Sequence, residues 1–266
     1  MKKEVKKSKL VIRELESSDE FQATTNVSKE AWGYGERSIS PASDLVAATH
    51  SGGLTAGAFQ GKKMLGFVHG IPRTNLGEPC HHSHLLAVMP EAQGRGLSVL
   101  LKLFQRKWCL EHGIRLVTWT YDPFLIKNAN LNIRKLRGTV RTFLPNFYGL
   151  LGGIYHSLPT DRFEITWRLD DPLVERAARG EVLPPVPDVA ALAALPVATL
   201  RRIPSAPRIL LPFPKGAPAL YRKDLKRSLK ARKSFGKLAP ELFSRGYVVT
   251  GVAEAPGHHV YILDRA

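Results

Sequence analysis

The stretch Leu85-Leu86-Ala87-Val88-Met89-Pro90-Glu91-Ala92-Gln93-Gly94-Arg95-Gly96-Leu97-Ser98 constrains this chain more than any other. Residues 83–89 read as a strand, stopped by Pro90, which has no N–H to give to a sheet ladder. A glycine-rich turn follows. Beyond it Leu97, Leu100, Leu101, Phe104 and Trp108 recur at close to helical spacing, which predicts a helix over 97–112. The first turn of such a helix presents unpaired N–H groups and the positive end of the dipole. Small residues let a phosphate approach those amides, and Arg95 can add a charge-assisted contact. The pattern does not choose the ligand. The lysine and hydroxyl of GxxxxGK[ST] are missing, and Val99 stands where GxGxxG needs its third glycine. A tight strand–helix turn that binds nothing has the same local appearance.

Around this segment the pattern predicts an α+β chain. Residues 10–15 read as a strand and 17–33 as a helix starting at Ser17-Ser18-Asp19. Residues 54–60 and 64–71 form a predicted hairpin about Gly61-Lys62-Lys63. A buried strand follows at 115–121, then a helix opened by Asp122-Pro123 and ending near Gly138, then strands at 139–145 and 161–169. Residues 171–206 are rich in Ala and Pro and read as a loosely packed connector with one short helix. The last part reads as a strand at 207–214, a helix at 217–245, and a hairpin of 246–253 with 258–264. It is either a small second domain or an extension docked on the first sheet. The expected division is 1–170, a connector 171–206, and a smaller α/β appendage 207–266.

The chain has 266 residues, a hydrophobic fraction of 44% and a charged fraction of 23%, as globular proteins do. No apolar run approaches the ~20 residues of a membrane span. Two cysteines, Cys80 and Cys109, are too few for a disulfide framework, so a cytoplasmic setting is expected. The formal charge of +16 favours polyanionic partners or a phosphate-rich cofactor. Much of it lies in the first ten residues and between Arg201 and Lys237, where Asp224 is the only acid.

Strand, Val-x-Pro, then Q/R-x-x-G-x-G/A opening a helix resembles the acyl-CoA motif of the GNAT acyltransferases. Gln93 and Gly96 stand at its fixed positions, and Ser98 replaces the usual Gly or Ala. The resemblance covers roughly residues 10–170. The longer run WTYDP…NANLNIRKL…LPNFYG…LPTDRFEITW is similar to a bacterial GNAT subgroup with a C-terminal extension, some of whose members are tied to amino-acid N-acylation. The resemblance implies a mixed, mostly antiparallel sheet flanked by helices. It also implies direct attack of an amine on the thioester of acetyl-CoA or another acyl-CoA. Leu86 and Val88 would pair with the pantetheine, and the Val88 N–H would face the thioester oxygen. Gly94, Arg95, Gly96, Leu97 and Ser98 would hold the pyrophosphate beside Gln93, and Asn128 would touch the pantetheine arm. Ile133 occupies the place where the family often has a tyrosine acid, which leaves another acid, such as Tyr148 or Tyr155, or solvent. His84 is the first candidate base and Glu78 the next, since an unperturbed imidazole titrates at about 6.5. The family's habit of pairing makes a homodimer one expectation.

Other signals carry less. Cys80-His81-His82-Ser83-His84 invites a metal, yet no second cluster with ligand spacing accompanies it, so none is expected. Cys109 reads as core. Phe143, Phe147, Tyr148 and Tyr155 read as core or as the wall of an acceptor pocket. The basic helix at 220–230 reads as one packed and one solvated face. The expected function is therefore transfer of an acetyl or succinyl group to a small amine, an amino acid among the candidates, with no membrane partner. Two alternatives stand beside it: a GNAT-like module binding nucleic acid or another polyanion through the basic C-terminal region, and acylation of protein amines.

Overall fold

A computed structural model describes residues 9–33, 35, 38–75, 77–149, 158–181, 187–216 and 223–266. Tyr155, the basic residues before 9 and the predicted start of the helix at 217–222 lie outside the described residues. The chain divides into two compact units, 1–117 and 118–266.

The first unit carries β1 (Leu10–Glu14), β2 (Leu54–Gln60), β3 (Lys63–Asn75) and β4 (Glu78–Val88), with α1 (Ser18–Trp32), α2 (Ala42–His50) and α3 (Leu97–Glu111). The strands lie in the order β1-β2-β3-β4, all antiparallel. Helix α1 begins where the sequence says it should: the Ser17 hydroxyl accepts from the Glu20 N–H, and Asp19 and Glu20 face the positive end of the dipole. It ends at Gly33, whose φ of 64° lets its N–H return to the Lys29 carbonyl. Phe21 and Val27 of α1 pack with Leu45 of α2, Phe59, Phe67 and Ala87 into one apolar core.

Two features depart from expectation. Strands β3 and β4 are much longer than 64–71 and 83–89, because they pair out to Asn75 and Glu78 through Pro72 and Pro79. Local propensity argued against a ladder there, and cross-strand pairing overrides it. Helix α2 carries no side-chain cap, following Pro41 directly, and so announces itself weakly.

Among the described residues the second unit carries six strands in the order β5-β7-β6-β9-β10-β8. They are β5 (Leu116–Tyr121, starting at the boundary), β6 (Thr139–Leu144), β7 (Arg162–Arg168), β8 (Arg208–Pro214), β9 (Tyr247–Ala255) and β10 (His258–Arg265). Its helices are α4 (Ile126–Ala129), continued by a wider π turn over Asn130–Lys135, α5 (Pro172–Ala178), α6 (Val189–Ala193) and α7 (Leu225–Ser244). Strand β9 pairs with β6 at Val140–Val249, so the C-terminal hairpin extends the sheet that holds β6 and β7. Residues 171–206 hold two short helices, each capped by an aspartate, Asp171 and Asp188, and they bury Val174, Leu192 and Ala198. The centre of this unit is aromatic. Phe163 lies 5.2 Å from Tyr261 and 5.4 Å from Phe235, and Phe213 stacks on Tyr261 at 4.6 Å.

Candidate functional site

Strand β4 delivers the chain to the glycine loop with its last residues buried: Ala87 and Val88 are core, while Leu85 and Leu86 are half-buried. The Met89 N–H bonds the Leu65 carbonyl at 2.8 Å, and a short 3-10 turn follows at Pro90–Ala92. The Gln93 side chain then reaches back to donate to the Val88 carbonyl at 3.1 Å. This bond ties the end of the strand to the start of the loop.

Gly94 has φ of 79° and Gly96 of 80°, both in the left-handed region, and a Cβ added to either would meet no protein atom within 4 Å. The backbone conformation therefore demands glycine, and the space above it is open. Gly96 caps α3 with no side-chain acceptor, so the first-turn amides have no capping side chain. Arg95 and Gly96 are exposed while Leu97 turns into the core. These residues present an exposed set of donors at a helix N-terminus, with a cation alongside, which suits a pyrophosphate.

The first candidate base sits on an irregularity. His69 pairs with Leu85 and Gly70 with Ser83, so His84 is the extra residue of a β-bulge in β4. His84 is exposed, continuing the alternation in which His81 and Ser83 are buried, with its ring 6.4 Å from both His69 and His82. Partial desolvation by the surrounding protein lowers its pKa from the ordinary value. Burial lowers His69 and His82 to about 4 each. His69 is held by Thr55, whose hydroxyl lies 2.8 Å from Nδ1 and 2.7 Å from the Thr49 hydroxyl. Glu78, the second candidate, opens β4 and is half-buried. Among the described residues no group of three or more His, Cys, Asp or Glu is placed to hold a metal.

Between β4 and α3 lies a polar network that sequence reasoning missed. Lys102 on α3 is buried and donates to Gln105 Oε1 at 2.9 Å, and Gln105 Nε2 lies 3.0 Å from His81 Nε2 on β4. Since the Gln105 amide is a donor, His81 Nε2 accepts and the imidazole is neutral. Burial lowers Lys102 to about 7 and His81 to about 3. Cys109 is buried, as expected, and burial raises its thiol to about 12. The network ties the strand before the loop to the helix after it. Lys102 lies one place off the apolar stripe of α3, so nothing in the sequence distinguishes it from a surface lysine.

The remaining predicted site residues belong to the second unit. Asn128 is exposed on α4. Ile133 is buried within the π turn, so no acid stands at that place. Tyr148 is 38% exposed, its hydroxyl 3.4 Å from the Thr120 hydroxyl on β5 and its ring 5.2 Å from the Arg162 guanidinium. Thr160 positions it by accepting the Tyr148 N–H at 2.9 Å. Phe147 is exposed beside it, whereas Phe143 packs near Phe163 and Phe235.

A buried ion cluster anchors this unit. Arg232 of α7 donates to Asp122 Oδ2 at 2.6 Å, stands 3.7 Å from Asp161, and lies 4.8 Å over the Phe124 ring. Burial raises the Asp161 pKa, against the bond from the Asn146 N–H and the attraction of Arg232. The basic run around 201–237 thus contains one cation that is core.

Residues 14–130 match the family model described as "Acetyltransferase (GNAT) family". The chain therefore carries a GNAT acetyltransferase domain, running from the end of β1 into the π turn after α4. That domain is of the GNAT acyltransferase type, which uses an acyl-CoA as co-substrate. Solved structures resemble it at low identity. The yncA protein of Salmonella typhimurium, solved with its cofactor acetyl-CoA, is 18% identical over 62% of this chain and 96% of its own, with a TM-score of 0.49. The ribosomal-protein-S18-alanine N-acetyltransferase of Escherichia coli is 17% identical over 60% and 94%, with a TM-score of 0.48. No curated protein matches the sequence.

Proposed function

We propose that the protein transfers an acetyl group, with succinyl as the alternative, from acyl-CoA to the amine of a small molecule, amino acids being the first acceptors to test. The observation that supports this reading is the loop Gln93–Ser98. Two glycines there adopt positive φ beneath open space at the start of α3, directly after a strand whose end is pinned by Gln93. The amides of Gly94, Gly96, Leu97 and Ser98, with Arg95, hold the pyrophosphate. Leu86 and Val88 hold the pantetheine. His84 takes the proton of the acceptor ammonium. The free amine attacks the thioester carbonyl, the Val88 N–H stabilises the oxyanion, and the C–S bond breaks; solvent takes the second proton that the nitrogen loses and returns one to the CoA thiolate.

Calorimetric titration with acetyl-CoA, succinyl-CoA and free CoA tests the loop, beside a Gly96→Glu variant. That substitution puts a carboxylate and a strained φ at the centre of the anion site. Wild-type binding that is lost in a folded variant supports the placement, and the preferred thioester guides the acceptor screen. A wild type that binds no CoA species refutes it.

A further inference from the structure

Helix α7 shows its outer face to solvent with an unusual composition. Leu225 and Leu229 are 49% and 41% exposed, one helical turn apart. Lys226, Lys230, Lys233 and Lys237 are exposed and fall on the same side of the helix by its 3.6-residue period. Among the described residues none of these lysines makes an ion pair. The helix has only two adjoining acids, both at its ends and both engaged. Asp224 caps it through the Arg227 N–H at 2.8 Å, and Glu241 pairs with Arg245 at 2.8 Å. The opposite side, with Phe235, Leu238, Ala239 and Leu242, is core.

Exposed leucines amid lysines match an interfacial helix, which lies on a bilayer without crossing it. Nucleic-acid recognition uses cations together with hydrogen-bonding or stacking side chains. The outer face of α7 offers neither an aromatic nor an amide group. We propose that this face docks the protein on an anionic membrane surface, the lysines meeting lipid headgroups and Leu225 and Leu229 entering the acyl boundary.

The test uses the full chain, because removing 207–266 would strip three strands from the second unit's sheet. Cosedimentation is measured with phosphatidylcholine vesicles, with and without about a third phosphatidylglycerol, an amount chosen to give a strong negative surface potential. Binding to the anionic vesicles alone is expected. It should fall roughly a hundredfold for Lys226→Gln/Lys230→Gln/Lys233→Gln, from about one kcal/mol per cation. It should fall roughly tenfold or more for Leu225→Ser/Leu229→Ser, which leaves the charge unchanged. Unaltered far-UV circular dichroism and CoA binding in both variants would show that the fold persists. No vesicle binding, or vesicle binding indifferent to the leucines, overturns the proposal. So does a preference for single-stranded RNA or duplex DNA that the charge variant loses and the leucine variant keeps.

Discussion

Lys102→Met probes the network that joins β4 to α3. The unfolded chain keeps the Lys102 proton up to 10.5, whereas the native state releases it near 7. Over that interval the unfolded state binds more protons, so native stability rises with pH. The slope is about 1.4 kcal/mol per pH unit, or roughly 2–3 kcal/mol between pH 7 and 9. Other groups are quiet in this window. The buried histidines, near 3 to 4 against 6.5, have made their contribution by pH 7. Cys109, held near 12 against 9.0, begins to disfavour the native state only above pH 9. Methionine removes the charge but also the donor to Gln105, a loss of about 1–3 kcal/mol. Full relief of the drop from 10.5 to about 7 is worth roughly 4–5 kcal/mol at pH 6. The variant should therefore be more stable than wild type by roughly 2–3 kcal/mol at pH 6 and about equal to it at pH 9. Urea denaturation at pH 6, 7, 8 and 9 measures both curves. Parallel curves for wild type and variant would refute a lysine that is neutral in the native state.

Arg232→Met should lower stability by about 3–5 kcal/mol, because it leaves Asp122 buried without its cation, and calorimetric melting would report it. A fall under about 1 kcal/mol would contradict that role. Gly70→Ala would place a Cβ 2.1 Å from His81 Nε2, so the ring must move and its contact with Gln105 is lost. About 1–3 kcal/mol of destabilisation is expected on overpacking grounds, read from the urea midpoint. If His84 is the base, kcat/KM should fall as pH drops through a value below its ordinary 6.5, since only the neutral imidazole accepts a proton. His84→Gln should then erase that acid limb and lower the rate by about 10²–10⁴. An unchanged limb in the variant would clear His84 of the role.

The strand, glycine turn and helix around Gln93–Ser98 were legible because their signals are local. Pro90 ends a strand, the spacing of Leu97, Leu101 and Trp108 makes a helix, and Gly94 and Gly96 allow the turn between them, all within one stretch of chain. The caps at Ser17 and Gly33 were readable for the same reason. What depends on distant partners was not. Pro72 and Pro79 hide the true length of the β3–β4 pair, which exists because two remote segments match along it. The bulge at His84 is a property of register, and register belongs to two strands at once. Lys102 and Arg232 each look like one more surface cation. Only the tertiary structure buries them, against Gln105 in one unit and Asp122 in the other. A charged side chain enters a core where folding has assembled its partners, and residues 110 positions apart, such as Asp122 and Arg232, leave no trace of each other along the chain.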